Sequence, residues 1–227
     1  VNKILDHGYV KEVESWGSDE RIIEAARMST DKGFQGWGTP ESPGDEKLLA
    51  YLMNNRHDTP FEMAGLVIEV QAPIFVFREW HRHRTQSYNE LSARYTPLPD
   101  VNYLPTADRC LVVNGANKQA NSVGAQALTH EAVLKWLEEL EWVYRQAQRV
   151  YQMGLNIGIP KEIARLPVPV ARYSRMRASA NLRNWLAFIT LRSAPNAQWE
   201  IRQFSDAVGK IVQEKFPRTW ELFLSRK

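Results

Sequence analysis

The span from Thr129 to Gly154 carries the most demanding pattern in the chain. Val133, Trp136, Leu137, Leu140, Val143, Tyr144, Ala147, Val150 and Tyr151 recur at three- and four-residue spacing. Only a helix lays such positions along one face. Thr129 stands at its start as a capping residue, and its hydroxyl offers the unpaired first-turn amides an acceptor.

The remaining elements arrange themselves around this helix. Ser18 followed by Asp19 and Glu20 begins a helix through IIEAARMS, and Asp45 to Asn54 forms another with Leu48, Leu49, Leu52 and Met53 on one face. Val1 to Trp16 alternates loosely and can begin with a strand, as does Leu66 to Val70. Pro73 suits the first turn of a helix that IFVFREWHRH continues. Two loops are expected, at 33–44 and at 96–128. Pro160 opens a short helix, Val168 to Ser174 reads as a strand, and Leu182–Arg192 and Gln198–Lys215 read as helices, with FPRTWELFL closing the chain. With no repeat or linker, the expectation is one α+β domain over 1–227, in which several long helices flank a small mixed or antiparallel sheet.

Composition narrows the function. The formal net charge is +3 over 227 residues, too little for a coherent nucleic-acid stripe. A single cysteine, Cys110, excludes an internal disulfide or a multi-cysteine metal site. The first residues, VNKILDHGYV, hold no apolar signal core, and no run approaches the roughly 20 apolar residues of a membrane span. The expectation is a soluble cytoplasmic protein without membrane or nucleic-acid partners.

The chemistry gathers in Arg82–Tyr95, RHRTQSYNELSARY. Arg82, Arg84 and Arg94 can grip phosphate bidentately, Ser92 adds a hydroxyl, and Asn89 and Glu90 can read the edge of a ring. A solvated helix end whose arginines pair with Glu79 and Glu90 accounts for the same residues. A second set comprises Arg165, Arg172, Arg175, Arg177, Arg183 and Arg192. Arg192 sits in an apolar context, WLAFITLR, so it needs a partner: a bound ligand, or Glu200 or Glu162. His83 between two cations is a poor metal ligand, and no metal is expected. No nucleophile elbow, dinucleotide fingerprint or phosphate loop is present, and Cys110 lacks an activating histidine nearby in sequence.

Arg82-His83-Arg84, seven residues and then Ser92 resemble the signature of the flavin-dependent thymidylate synthases. His57–Glu62 (HDTPFE), Ala72–Val76 (APIFV), Pro160–Arg165 (PKEIAR), Asn181–Arg192 and Ala197–Ile201 (AQWEI) resemble further motifs of that family in the same order. The resemblance implies the thymidylate synthase-complementing fold and a homotetramer with active sites shared between subunits. It implies synthesis of dTMP from dUMP, with a methylene carbon from methylenetetrahydrofolate and reducing equivalents from NADPH through FAD.

Carried over by position, the resemblance makes Arg192 catalytic, as the group holding uracil in its N3-deprotonated form. It makes Glu79, Arg82, Glu90, Ser92, Ala93, Arg94 and Arg165 the remaining dUMP contacts. Ser29, Thr59, Arg82, His83, Arg84, Asn89, Glu90, Asn181 and Arg183 resemble FAD-binding positions, and His57 a stacking residue for flavin and folate. Three positions depart from the pattern. Glu79 stands where several members have Gln, Ala187 where Asn or His meets the flavin, and Asn196 where His is frequent. Two rival readings are a nucleotide-phosphate hydrolase, which needs clustered carboxylates for a metal, and a nucleic-acid-binding module, which needs a basic stripe with stacking aromatics.

Overall fold

The computed structural model describes residues 3–39, 41–112 and 128–225. Five strands, β1 (Lys3–Ile4), β2 (Gly8–Trp16), β3 (Gly65–Pro73), β4 (Ser87–Glu90) and β5 (Tyr173–Asn181), form one sheet in the order β1-β2-β3-β5-β4. β1 and β2 pair antiparallel, Lys3 opposite Tyr9 and Ile4 opposite Gly8. The helices are α1 (Asp19–Arg27), α2 (Gly44–Asn54), α3 (Ile74–Trp80), α4 (Ala107–Leu111), α5 (His130–Asn156), α6 (Lys161–Ala164), α7 (Leu182–Arg192), α8 (Trp199–Lys215) and α9 (Pro217–Ser225). The α+β class expected from the pattern is the class observed.

The helix starts follow from local chemistry. Ser18 and Thr129 each accept a backbone amide in the first turn of α1 and α5, from Arg21 at 3.3 Å and Ala132 at 3.2 Å. Asn181 does the same for α7, its Oδ1 accepting from the Asn184 amide at 3.0 Å. Where the chain leaves α2, Arg56 adopts φ +55° and the His57 amide bonds the Leu52 carbonyl at 2.9 Å. The helix stop before His57 is therefore made by its neighbour's left-handed backbone.

Three expectations change. The helix after Pro73 ends at Trp80, so Arg82–Arg84 lie in a turn and not on its last turn. The strand expected over 168–174 runs instead over Tyr173–Asn181. Along α5 only Val133, Tyr151 and Gly154 are buried, whereas Trp136 (52% exposed), Trp142 and Val143 face outward. Of the 96–128 loop, residues 113–127 lie outside the described residues; its earlier part contains the short α4, which carries Cys110.

The chain divides into two compact units. One consists of Val1–Tyr9, Val70–Arg82 and Glu90–Met176, and the other of Val10–Glu69, His83–Asn89 and Arg177–Lys227. In the first, Tyr103, Ala171 and Tyr173 form a buried cluster with Leu5, Phe75, Val101 and Tyr144 against it. The Tyr173 hydroxyl donates to Asp6 at 2.5 Å, and burial pushes its pKa upward, so it stays a neutral donor. In the second, α7 packs on α8 and α8 on α9, burying Trp185, Phe188, Phe204, Val208 and Phe216. Gly65 is required there. A Cβ at that position would lie 2.2 Å from the Trp16 ring and 2.5 Å from the Ala180 carbonyl oxygen.

Candidate active site

The first unit contains a cavity of about 790 Å³ with both charged and apolar walls. α3 supplies Ile74 and Arg78, β4 supplies Glu90, and the turn after it supplies Leu91, Ser92 and Ala93. The segment after α6 supplies Arg165 and the apolar Leu166–Val170 stretch, and β5 supplies Ser174. Four residues expected at a nucleotide site, Glu90, Ser92, Ala93 and Arg165, are thus brought to one cavity from separate stretches of chain. Two guanidinium groups and a carboxylate above an apolar wall match an anionic head with a flat heterocycle.

The turn explains how these groups are presented. The Ser92 carbonyl accepts the amides of Tyr95 and Thr96 at 3.0 and 3.1 Å, and its Oγ lies 3.3 Å from the Arg94 amide. Arg94 does not line the cavity; its Nε donates to Glu162 at 2.9 Å in an exposed pair. Glu79 and Arg82 lie outside the cavity wall as well. Sequence reasoning missed Arg78, although it sits one helical turn after Ile74 on α3.

Two further residues shape the cavity. The Ser174 hydroxyl is buried and, among the described residues, has no hydrogen-bond partner. A buried hydroxyl in that condition costs about 1–3 kcal/mol, which a polar ligand can return. Arg172 is fully buried and donates to the Pro99 carbonyl at 2.7 Å and to Gln148 Oε1 at 2.9 Å, with Asp100 3.1 Å away. Burial pulls its pKa down and Asp100 opposes this, so it remains a cation that ties down the loop carrying Leu98. It serves the wall, not the ligand.

The second unit holds the other expected residues. Arg192, the last residue of α7, is 8% exposed and donates from Nε to His83 Nε2 at 2.9 Å. Glu162, one of the partners expected for Arg192, binds Arg94. The His83 ring meets Phe188 edge-on, with centroids 4.8 Å apart. Tyr88 donates to the His83 carbonyl at 2.7 Å, and burial pushes its pKa up to about 12 against the opposing effect of Arg192.

In the same unit, Arg183 binds Glu62 at 2.5 Å and lies 3.6 Å from Asp58. Asn181 is engaged as the cap of α7. His57 meets Tyr51 edge-on at 5.4 Å, and Thr59 starts a short 3-10 helix. Ser29 donates to the Ala26 carbonyl at 3.0 Å. Arg84 and Asn89 are exposed, and Arg84 has no ion-pair partner among the described residues. Exposed, uncommitted guanidinium at Arg84 suits the pyrophosphate of a dinucleotide cofactor. No group of three His, Cys, Asp or Glu side chains among the described residues gathers at metal-binding distance, and no described helix is long and apolar enough to cross a membrane.

The family model described as thymidylate synthase complementing protein matches residues 12–218. A flavin-dependent thymidylate synthase of Thermus thermophilus is 40% identical over 220 residues, covering 97% of this chain and 77% of the relative. That of Thermosipho africanus is 39% identical over 222 residues, covering 98% and 93%. A crystal structure of the UMP/dUMP methylase PolB from Streptomyces cacaoi with 5-Br dUMP superimposes with a TM-score of 0.83 at 32% identity, covering 99% of this chain and 98% of that one.

Proposed function

Because the chain belongs to the thymidylate synthase complementing protein family, we propose that it is an FAD-dependent thymidylate synthase. It would convert dUMP to dTMP with methylenetetrahydrofolate as carbon donor and NADPH as reductant. The observation that carries this reading is the cavity shared by Arg165, Ser92, Ala93 and Glu90. These are the positions at which the family resemblance calls for a nucleotide.

In this reading Arg165 and Arg78 hold the phosphate in the cavity, Ser92 and the backbone at Ala93 donate alongside, and Arg94 joins them by exchanging its exposed pair with Glu162. Glu90, Glu79 and Arg82 orient the sugar and ring. The Arg192 guanidinium stabilises the uracil deprotonated at N3, which makes C5 the nucleophilic carbon. Arg82, His83 and Arg84, with Asn89, Glu90, Asn181, Arg183, Ser29 and Thr59, hold FAD, and His57 stacks near flavin and folate. FAD supplies the redox chemistry when bound. One catalytic domain spans 1–227 and works in the cytoplasm as a homotetramer whose subunits share active sites.

Purified protein saturated with FAD should be yellow and should bleach when NADPH is added without air. A chain that binds no FAD at saturating concentration contradicts the assignment.

A further inference from the structure

Along β5 every second residue, Ser174, Met176, Ala178 and Ala180, is buried on one face, and Ser174 is the one of the four with a polar side chain. Its Oγ is buried and has no hydrogen-bond partner among the described residues. The backbone on either side is fixed. The Arg172 carbonyl accepts from the Ile74 amide at 2.9 Å, and the Arg175 carbonyl accepts from the Leu91 amide at 2.8 Å. Ile74 and Leu91 line the same cavity as Ser174. The strand therefore holds Ser174 in the wall between α3 and the turn after β4, with Arg78, Glu90, Ser92 and Arg165 around the same space.

Other hydroxyls of the chain find a partner close by. Ser29 donates to the Ala26 carbonyl at 3.0 Å and Thr190 to the Leu186 carbonyl at 2.8 Å, three and four residues back. A strand offers no carbonyl at that reach, so a buried serine in one needs a partner across the space it faces. For Ser174 that space is the cavity. We propose that the Ser174 hydroxyl donates a hydrogen bond to the nucleotide that fills this cavity, a contact made only when the site is occupied. This deepens the reading that the cavity takes dUMP, and rests on it. A single torsion carries a serine hydroxyl, so swinging it from the wall toward the ligand leaves the strand in place. Arg78 and Arg165 draw in the anionic head by charge, and a neutral donor adds a directed bond without adding charge. Until the nucleotide arrives the hydroxyl is a buried group without a partner, and binding relieves that cost.

The test reads two quantities on the same FAD-loaded variants: the denaturant midpoint without dUMP, and dUMP affinity by titration calorimetry. Ser174→Ala should unfold at the wild-type midpoint or above it, because it removes an unpartnered buried group. It should nevertheless bind dUMP about tenfold more weakly, the loss of one hydrogen bond to a charged group. Ser174→Cys keeps nearly the same shape but offers only a weak donor, so it should bind as poorly as Ser174→Ala. Unchanged affinity in Ser174→Ala, or wild-type affinity in Ser174→Cys, overturns the proposal. So does a fall of midpoint and affinity together in Ser174→Ala, failure to fold included, since the hydroxyl would then serve the fold. A wild-type chain that loads FAD but does not bind dUMP would instead sink the functional reading beneath it.

Discussion

Arg192, Arg78 and Arg94 show how differently three arginines of one chain are used. Arg192 is buried and donates to His83, Arg78 is exposed at the cavity, and Arg94 is exposed and paired with Glu162. Arg192→Ala should fold and bind FAD, while kcat for dUMP falls about a hundredfold or more, as when a charge-stabilising donor is lost. Near-normal turnover would refute its role. Arg78→Ala should raise KM for dUMP about tenfold with a smaller change in kcat, because it removes a cation that meets the bound anion in ground and transition states alike. Unchanged KM would place Arg78 outside the site. Cys110→Ala should leave activity intact, and loss of turnover in a folded variant would revive a thiol mechanism. The demand for a partner at Arg192 was readable in its apolar surroundings. Its contact with His83 was not, because that residue lies 109 residues away and only the fold brings the two together.

At the scale of elements, the caps were the most legible feature. Ser18 and Thr129 needed only a side-chain oxygen ahead of an apolar-periodic run. Thr129→Ala should therefore cost about 1 kcal/mol in denaturant unfolding. The strands were harder. β5 reads RMRASA through its middle, and its inward face of Met176, Ala178 and Ala180 is too small to signal burial. β4 is short and polar, so its residues read only as a binding cluster.

A link between α1 and α2 carries a pH dependence. Burial acts to raise the Asp45 carboxyl, but hydrogen bonds from the Arg27 side chain and the Gln35 amide outweigh it, and the net shift is downward. A carboxyl lowered in the folded state adds stability above its unfolded value of about 3.9, and that stability is lost as pH falls through the folded value. Melting temperature should therefore fall on acidification below about pH 4, less steeply in Asp45→Asn. Equal acid slopes would remove Asp45 from the account. Arg27→Ala should cost about 3 kcal/mol at neutral pH, by leaving a buried charge without its partner.

For the whole molecule, α5 poses the main question. Its sequence pattern asked for burial, yet Trp136 and Val143 are about half exposed in the single chain, as is Trp142 beside them. Apolar surface of that kind marks an interface, consistent with the proposed homotetramer. Trp136→Glu should lower the mass found by light scattering below that of four chains without unfolding the protein by circular dichroism. An unchanged mass would take α5 out of the assembly. The central claim concerns chemistry at C5 of uracil, and tritium release reports it directly. Incubated with dUMP tritiated at C5, methylenetetrahydrofolate, NADPH and FAD, the protein should release tritium to water and form dTMP in equal amount, with neither product when folate is left out. FAD-loaded protein that releases no tritium under these conditions would contradict the account.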